Sequence, residues 1–588
     1  MPRPVPLLRA LLFVLLAAAA PAADLAIPQI QGPGLSSPVE GQTVTTRGNV
    51  VTAVADDGFF IQAPAGEGDA DAQTSDGIFV FTSTAPGVTP GDRVDVSGVV
   101  KEYFGLTEIE PGTVTVVSRG NALPPALALL PSADPERAAL EMERLEGMLV
   151  HAAGALAVSG TDRFGDFKAV VGAPRPFREA GIEYPGAAGL PVWDGNPEIF
   201  EIDTDRIGSG ASVIGGATVE RVEGPLGFAF GDYQIWATAL SFTNPDYPRP
   251  VRARAAGELT IASQNLLRLV DDDAAALALR LRKFSRLVRD VLRAPDVLAV
   301  SEAENLQVLR DLAAQIAADD GSLDYEALLL EGNDPGSIDV GFLVRSTVAI
   351  ASVAQILPDE TFAYDGRSYD LFDRPPLLLR AAYVANGAPF DFAVLAVHLR
   401  SLNDVEASEF ARIKRHRGAL RLAEAIRDLL AAEPELRLVV TGDFNAFEMT
   451  DGFVDVMGQI TGAADPRGAM IPVEPVQGYA GLRNETGTVR PEERYSYLYE
   501  GTAQVLDHAL TSPALARWVR QMAFARANAD APASAALDPT AAGSTDHDAT
   551  VLFVMTDRDG DGIPDDREAC PPGGQPGSRR RLVTIGCP

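Results

Sequence analysis

Polar side chains close one apolar run after another in the second half of this chain. Asn265 closes LTIASQN, Glu302 closes DVLAVSE, His398 closes FAVLAVH, and Asp443 with Asn445 closes LVVTGDFN. Asp507 and His508 stand in VLDHALTS, and Asp546 with His547 in STDHDATVLFV. Each has a plainer explanation alone: Asn265 caps a turn, Glu302 caps the helix after it, His398 is a core histidine. Carboxylates, carboxamides and imidazoles at six strand ends are better explained by one site, built where a rigid sheet meets exposed loops. Oxygen donors without cysteine suit Mg²⁺ or Mn²⁺ rather than structural zinc, with Glu302 as first ligand and Asn265 and Asp546 assisting. An aspartate held by its neighbours can orient a water molecule or take its proton. In TGDFN, period-two geometry puts Asp443 and Asn445 on one side and turns Phe444 into the core.

The elements that must position these residues alternate between strand and amphipathic helix, the pattern of an α/β domain over 258–556. LTIASQNL and DVLAVSE read as strands, DDAAALALRLRKFSRLVRDVLR and NLQVLRDLAAQIAAD as helices. LLRAAYVANGAPFDFAVLAVHLRS reads as a hairpin turning at Asn-Gly, and a long helix follows from Val405 to Leu430. Upstream, 26–115 breaks into short alternating strands punctuated by Gly, Asp and Pro, the spacing of a small β-barrel. A second β-rich region, 120–250, carries one short helix, SADPERAALEMERLEG, and nothing catalytic; NPDYPRPVRARAAGE then serves as a linker.

At 588 residues the chain is too long for one core, and two or three domains are expected. Residues 1–22 combine Arg3 and Arg9, an apolar stretch from Ala10 to Ala20 and the small-residue signal Ala20-Pro21-Ala22, which together make a secretory signal peptide. That stretch is too short for a membrane anchor and no later one is longer, so export to the periplasm or medium is expected without a membrane span. The only cysteines, Cys570 and Cys587, lie in the tail and are expected to pair in an oxidising compartment. A net charge of -32 argues against broad attraction to nucleic acid while leaving room for local basic patches. The basic stretches Arg280–Arg293 and around Lys414 read as solvated helix faces in preference to phosphate-tracking surfaces. Phe59, Phe60, Phe79, Phe81, Tyr103 and Phe104 read as barrel core in preference to a stacking platform.

The ordered pieces SQNL, LAVSEAEN, VHLRS, GDFN, LDHAL and STDH, spread from Leu259 to Met555, resemble the endonuclease/exonuclease/phosphatase superfamily, with its DNase I-like four-layer α/β sandwich. With an OB-fold-like module in front, the chain from Ile27 resembles secreted bacterial nucleases of the ExeM-like type. Ser301 stands where that family usually has glutamine, and Arg400 where it usually has lysine. The resemblance implies cleavage of DNA, with RNA as a second candidate substrate, by direct attack of water on phosphorus. It gives Asp443 the water and Asn445 a hydrogen bond to the water or a phosphate oxygen. His547, held in one tautomer by Asp507, would contact the scissile phosphate, and the general base is left open between His547 and Asp443. His398 would face the other side of the phosphate, Asp339 would be an orienting partner or an ordinary strand-entry aspartate, and Arg374 would lie near the cleft. Two other readings compete: a phosphatase or sphingomyelinase-like phospholipid phosphodiesterase of the same fold, and a catalytically dead calcium-dependent surface-binding protein.

The tail, 557–588, holds DRDGDGIPDDRE, which fits a calcium loop with oxygens from Asp557, Asp559, Asp561, Asp565 and Glu568 and a sharp turn at Gly562. It resembles one thrombospondin type 3 repeat binding Ca²⁺, closed by Cys570 and Cys587.

Overall fold

The computed structural model describes residues 22–557 apart from 207, 209 and 386, together with 563 and 564. Residues 1–21, where the signal peptide is expected, lie outside the described residues, as do Asp559, Asp561, Asp565, Glu568, Cys570 and Cys587; Asp557 is described and is buried. The chain divides into two compact units, 1–129 with 139–151 and 223–238, and 130–138 with 152–222 and 239–588, so the stretch 120–250 is shared between them.

In the first unit, strands Thr43–Val54, Gly58–Gln62, Gly77–Phe81, Leu106–Ser118 and Arg93–Tyr103 pair in that order, and the last returns to the first to close a barrel. Alternation drives the closure: along Arg93–Tyr103, Val94, Val96 and Val100 point inward between half-exposed neighbours. Gly98 permits the tight pairing with the next strand, since a Cβ there would sit 2.3 Å from the Glu110 carbonyl oxygen. Phe59, Phe60 and Phe79 are core, as expected, whereas Tyr103 and Phe104 are exposed at a hairpin tip. Glu146 is fully buried in this unit; Gln31 and the Thr107 amide donate to its Oε1, and its Oε2 has no partner. Burial first, then Glu143, raises its carboxyl well above the ordinary range.

In the second unit the apolar runs become strands β1 (Glu258–Leu269), β2 (Val297–Ala303), β3 (Tyr325–Leu329), β4 (Asp339–Arg345), β5 (Val348–Gln355), β6 (Leu377–Tyr383), β7 (Phe390–His398), β8 (Leu438–Asp443), β9 (Arg483–Asn484), β10 (Asp507–Thr511), β11 (Val519–Ala525) and β12 (Ala549–Met555). Helices α1 (Ala274–Arg286), α2 (Leu306–Asp319) and α3 (Glu409–Ala432) start where Asp273, Asn305 and Ser408 accept hydrogen bonds from first-turn amides. Asn305, not Glu302, is therefore the cap of α2. One sheet runs β3-β4-β2-β1-β12-β11 and the other β5-β6-β7-β8-β10-β9.

The sheets face each other across a core that includes Leu259, Ile261, Phe342, Phe392, Val439 and Trp518. α1 and α2 cover the outer face of the first sheet through Phe284, Leu309 and Ile316, and α3 covers the second through Ala419, Leu422 and Ile426. The result is the four-layer α/β/β/α sandwich. Period-two alternation assigns every strand residue a side: Phe392, Val394 and Ala396 of β7 point inward while Ala393, Leu395 and Val397 point toward α3.

Candidate active site

Extending the inward rows to the strand ends finds the polar residues. His398 continues the row of Ala396, Asp443 that of Val439, Asp507 that of Ala509, and Asn265 that of Ile261. Strict alternation would turn Glu302 outward, beside Leu298 and Val300. Instead Glu302 adopts a left-handed φ of 64°, the pairing register with β4 shifts between Val300 and Ala303, and Ala303 takes the outward position. This bulge aims Glu302 into the site.

Register does the same work across the second sheet. His398 lies opposite Asp443 in the parallel β7–β8 pair, and Asp443 opposite Asp507 in the antiparallel β8–β10 pair. The β7–β8 approach depends on Gly442, at φ 146°, because a Cβ there would lie 1.9 Å from the Val397 carbonyl oxygen. His508, next along β10, turns the other way: its Nε2 bonds the Ala446 carbonyl at 2.8 Å and its ring meets Phe444 edge-on. Burial holds its pKa down at about 4, which fits a structural histidine.

The Asn265 carboxamide bridges the two sheets, donating to Glu302 Oε1 at 3.0 Å and Asp443 Oδ2 at 3.1 Å. His398 Nε2 is 3.7 Å from the first of these oxygens and 3.6 Å from the second. Burial, then Arg374 and His547, hold the His398 pKa well below 6.5, so it stands neutral beside the carboxylates. Asp507 Oδ2 meets His547 Nδ1 at 2.7 Å, and the Tyr497 ring lies 4.8 Å from the His547 ring. Burial opposes charge on His547, but Asp507, Asp443 and Asp546 outweigh it and lift its pKa to about 10. Burial also raises Asp443, against the pull of His547.

These donors fit a hard cation. Glu302 and Asp443 offer closely spaced carboxylate oxygens without sulfur, bridged by the Asn265 amide while the Asn265 oxygen accepts from the Leu267 amide; Asp443, Asp507 and His547 converge within 4.8 Å, and Asp507 Oδ1 is buried without a partner. Asp546 is a half-buried carboxylate that accepts from the Thr545 hydroxyl, and both it and Glu302 act electrostatically on Arg280. One expectation changes. β8 ends at Asp443 and Asn445 has φ 47°, so period-two geometry does not extend to Asn445; its amide binds Asp443 Oδ1 and its carboxamide donates to the Leu399 carbonyl. Asp339, for which the sequence leaves two readings open, is the first residue of β4 and accepts from the Gly332 amide at 2.8 Å.

The basic stretches are not solvated faces at their key positions. Arg280 folds back onto the carbonyls of Leu266, Leu267 and Arg268, clamping the irregular end of β1 after Asn265, where the register against β2 shifts. Lys283 is buried and donates to the carbonyls of Ala535, Asp538, Thr540 and Ala542 at 2.6 to 3.1 Å, tying down the loop that leads into Thr545–His547. Lys414 and Arg415 are buried too. Sequence reasoning also missed Arg526, which pairs with buried Asp548 at 2.9 Å and stacks 3.5 Å over Tyr495, anchoring the far side of that loop. A charged residue within the apolar run QMAFARANA was the available signal for it.

Residues 262–527 match the model of the Endonuclease/Exonuclease/phosphatase family. The chain carries an endonuclease/exonuclease/phosphatase domain. Members of that superfamily are hydrolases acting on phosphodiester bonds and are generally dependent on divalent metals. Residues 123–245 match a second model, Domain of unknown function (DUF8508). None of the curated proteins matches the chain. Among solved structures, the chain is similar to an endonuclease/exonuclease/phosphatase family protein from Bacteroides thetaiotaomicron at 15% identity, covering 52% of this chain and 97% of that one with a TM-score of 0.34. It is similar to truncated Caenorhabditis elegans TDP2 at 15% identity, with 51% and 98% coverage and a TM-score of 0.32. The human Nocturnin catalytic domain with bound sulfate aligns at 14% identity, 52% and 97% coverage and a TM-score of 0.33. Among the described residues, no helix of the endonuclease/exonuclease/phosphatase domain or elsewhere is long and apolar enough to cross a membrane.

Proposed function

We propose that this chain is a secreted, divalent-metal-dependent nuclease that hydrolyses phosphodiester bonds of extracellular DNA by direct attack of water. The observation that carries the reading is the row His398, Asp443, Asp507 across three adjacent strands, with His547 docked on Asp507. A divalent cation held by Glu302, which the Asn265 carboxamide fixes in place, would neutralise the charge that grows on the phosphate. Asp443, raised by burial, is suited to accept the proton of the attacking water as its oxygen bonds to phosphorus. His547 enters as imidazolium, which favours Asp443 as the base. The imidazolium stabilises phosphate charge and supplies the proton with which the sugar oxygen leaves. His398, neutral and buried, borders the same carboxylates from β7.

Other parts of the molecule support the reading. The barrel strands of the first unit, numbered along the chain, pair as 1-2-3-5-4 and back to 1, an order compatible with an OB-like module, and exposed Tyr103 and Phe104 offer stacking surfaces for bases. The leader motivates export, and the 557–588 loop motivates Ca²⁺ binding in the tail. The deciding experiment incubates the purified protein with plasmid DNA and with sphingomyelin, each with Mg²⁺ or EDTA, beside Asp443→Ala and His547→Ala. Metal-dependent nicking of DNA, lost in both variants, is expected. Hydrolysis of sphingomyelin alone, or no nicking, refutes the nuclease.

A further inference from the structure

One cavity has a lining that includes Asp373, Arg374, His398, Arg400, Lys414 and Arg415, with neither Glu302 nor Asp443 among its walls. Four cations around one cavity is unusual in a chain with net charge -32. Three have carboxylate partners. Arg374 is 2.6 Å from Asp334, Lys414 is 2.7 Å from Asp373, and Arg415 is 3.4 Å from Asp451. Arg400 has none among the described residues, and its Nε is buried without a hydrogen bond. Two further buried polar atoms on lining residues share that condition, Arg415 Nε and His398 Nδ1. His398 thus lines the cavity with Nε2 near the two carboxylates and Nδ1 unpartnered. Buried donors without acceptors cost free energy unless something fills the role, and guanidinium beside imidazole is the chemistry that grips a phosphate oxyanion.

We propose that this cavity is a second oxyanion site, in which Arg400, Arg415 and His398 Nδ1 bind a phosphate group neighbouring the one being hydrolysed. The role in hydrolysis rests on the phosphodiesterase reading above; the binding itself does not. The neighbouring group is either the next internal phosphodiester of a strand or a terminal phosphomonoester, and both present the same anionic oxygens. The site makes the enzyme prefer substrates with at least two phosphates.

Two measurements on the full-length protein test it. In EDTA, inorganic phosphate is titrated by calorimetry into the unaltered protein, Arg400→Gln and His547→Ala, at constant ionic strength. Loss of affinity by roughly tenfold or more in Arg400→Gln, and a smaller loss in His547→Ala, is expected from removing a charge-assisted contact. Equal phosphate binding by Arg400→Gln and the unaltered protein overturns the site, whether or not any substrate is hydrolysed. With Mg²⁺, kcat/KM is compared between oligonucleotides and bis(p-nitrophenyl) phosphate, which has one phosphate. The oligonucleotide-to-model-substrate ratio is expected to fall about tenfold in Arg400→Gln and to recover partly in Arg400→Lys. An unaltered ratio overturns the proposal. A penalty confined to 5′- or 3′-phosphorylated oligonucleotides identifies the terminal group, and one equal on circular plasmid identifies the internal one.

Discussion

Asp507→Asn should move the alkaline limit of activity by several pH units. Asp507 lies 2.7 Å from His547 and is the foremost of the carboxylates that carry the imidazole from 6.5 to about 10 against the opposing effect of burial. A shift of about 3.5 units corresponds to about 5 kcal/mol between the two protonation states. Without Asp507, burial is opposed only by Asp443 and Asp546, and the pKa falls toward the free imidazole value of about 6.5. At pH 8 the unaltered site is then almost wholly imidazolium and the variant only about 3% so, a loss of roughly thirtyfold that grows tenfold per further unit and largely closes at pH 6. Initial rates of metal-dependent DNA cleavage from pH 5.5 to 10 read the effect, and NMR titration of the imidazole in EDTA reads it without turnover. Stability follows the same linkage. A folded pKa above the unfolded one stabilises fully below 6.5, and that contribution is lost as pH rises toward 10. The unaltered protein should therefore lose Tm across that window and Asp507→Asn should not. An alkaline limit that stays put in the variant, or a His547 resonance titrating near 6.5 in the unaltered protein, refutes the assignment of His547 as imidazolium.

Asp443→Asn should lower cleavage by roughly a thousandfold, the scale of a lost general base, yet leave Tm at pH 8 unchanged or raised, because burial disfavours the carboxylate it removes; initial rates and calorimetry decide. Arg526→Met strands Asp548 as an uncompensated buried charge and should cost about 3–5 kcal/mol in urea unfolding. Glu146→Gln concerns a carboxyl raised well above 4.5, whose ionisation burdens the fold increasingly as pH climbs past that value. The gain in Tm should therefore be larger at pH 8 than at pH 4, and a gain independent of pH contradicts the buried-charge argument.

Much of the site was legible because strand ends obey local rules. The runs ending at His398 and Asp443 are strands bounded where their polar residues stand, and Phe444 is core with no exposure. The strands on either side of the expected Asn-Gly turn do pair antiparallel, with Tyr383 opposite Phe390, while Asn386 itself lies outside the described residues. What stayed hidden depends on contacts between distant segments. The bulge that turns Glu302 inward violates alternation, and its cause is a register shift against β4 that the DVLAVSE string does not contain. Basic residues on α1 and α3 carried the amphipathic pattern of solvated faces, yet Arg280 satisfies carbonyls at the end of β1 and Lys283 those of a loop up to 259 residues away in sequence. Likewise Arg526 and Asp548 are separated by 22 residues and pair only because β11 and β12 are neighbours.

Gly442 touches no proposed ligand or substrate atom, and it is as restricted as the residues that do. Any side chain there would strike the Val397 carbonyl and push apart the strands that bring His398 opposite Asp443. In a saturation library scored for cleavage, position 442 should be as empty as position 443. In the same library scored for abundance of folded protein the two should separate, with Asp443 variants retained and Gly442 variants depleted. Intolerance alone would merge scaffold with chemistry in this protein, and the paired screen tells them apart.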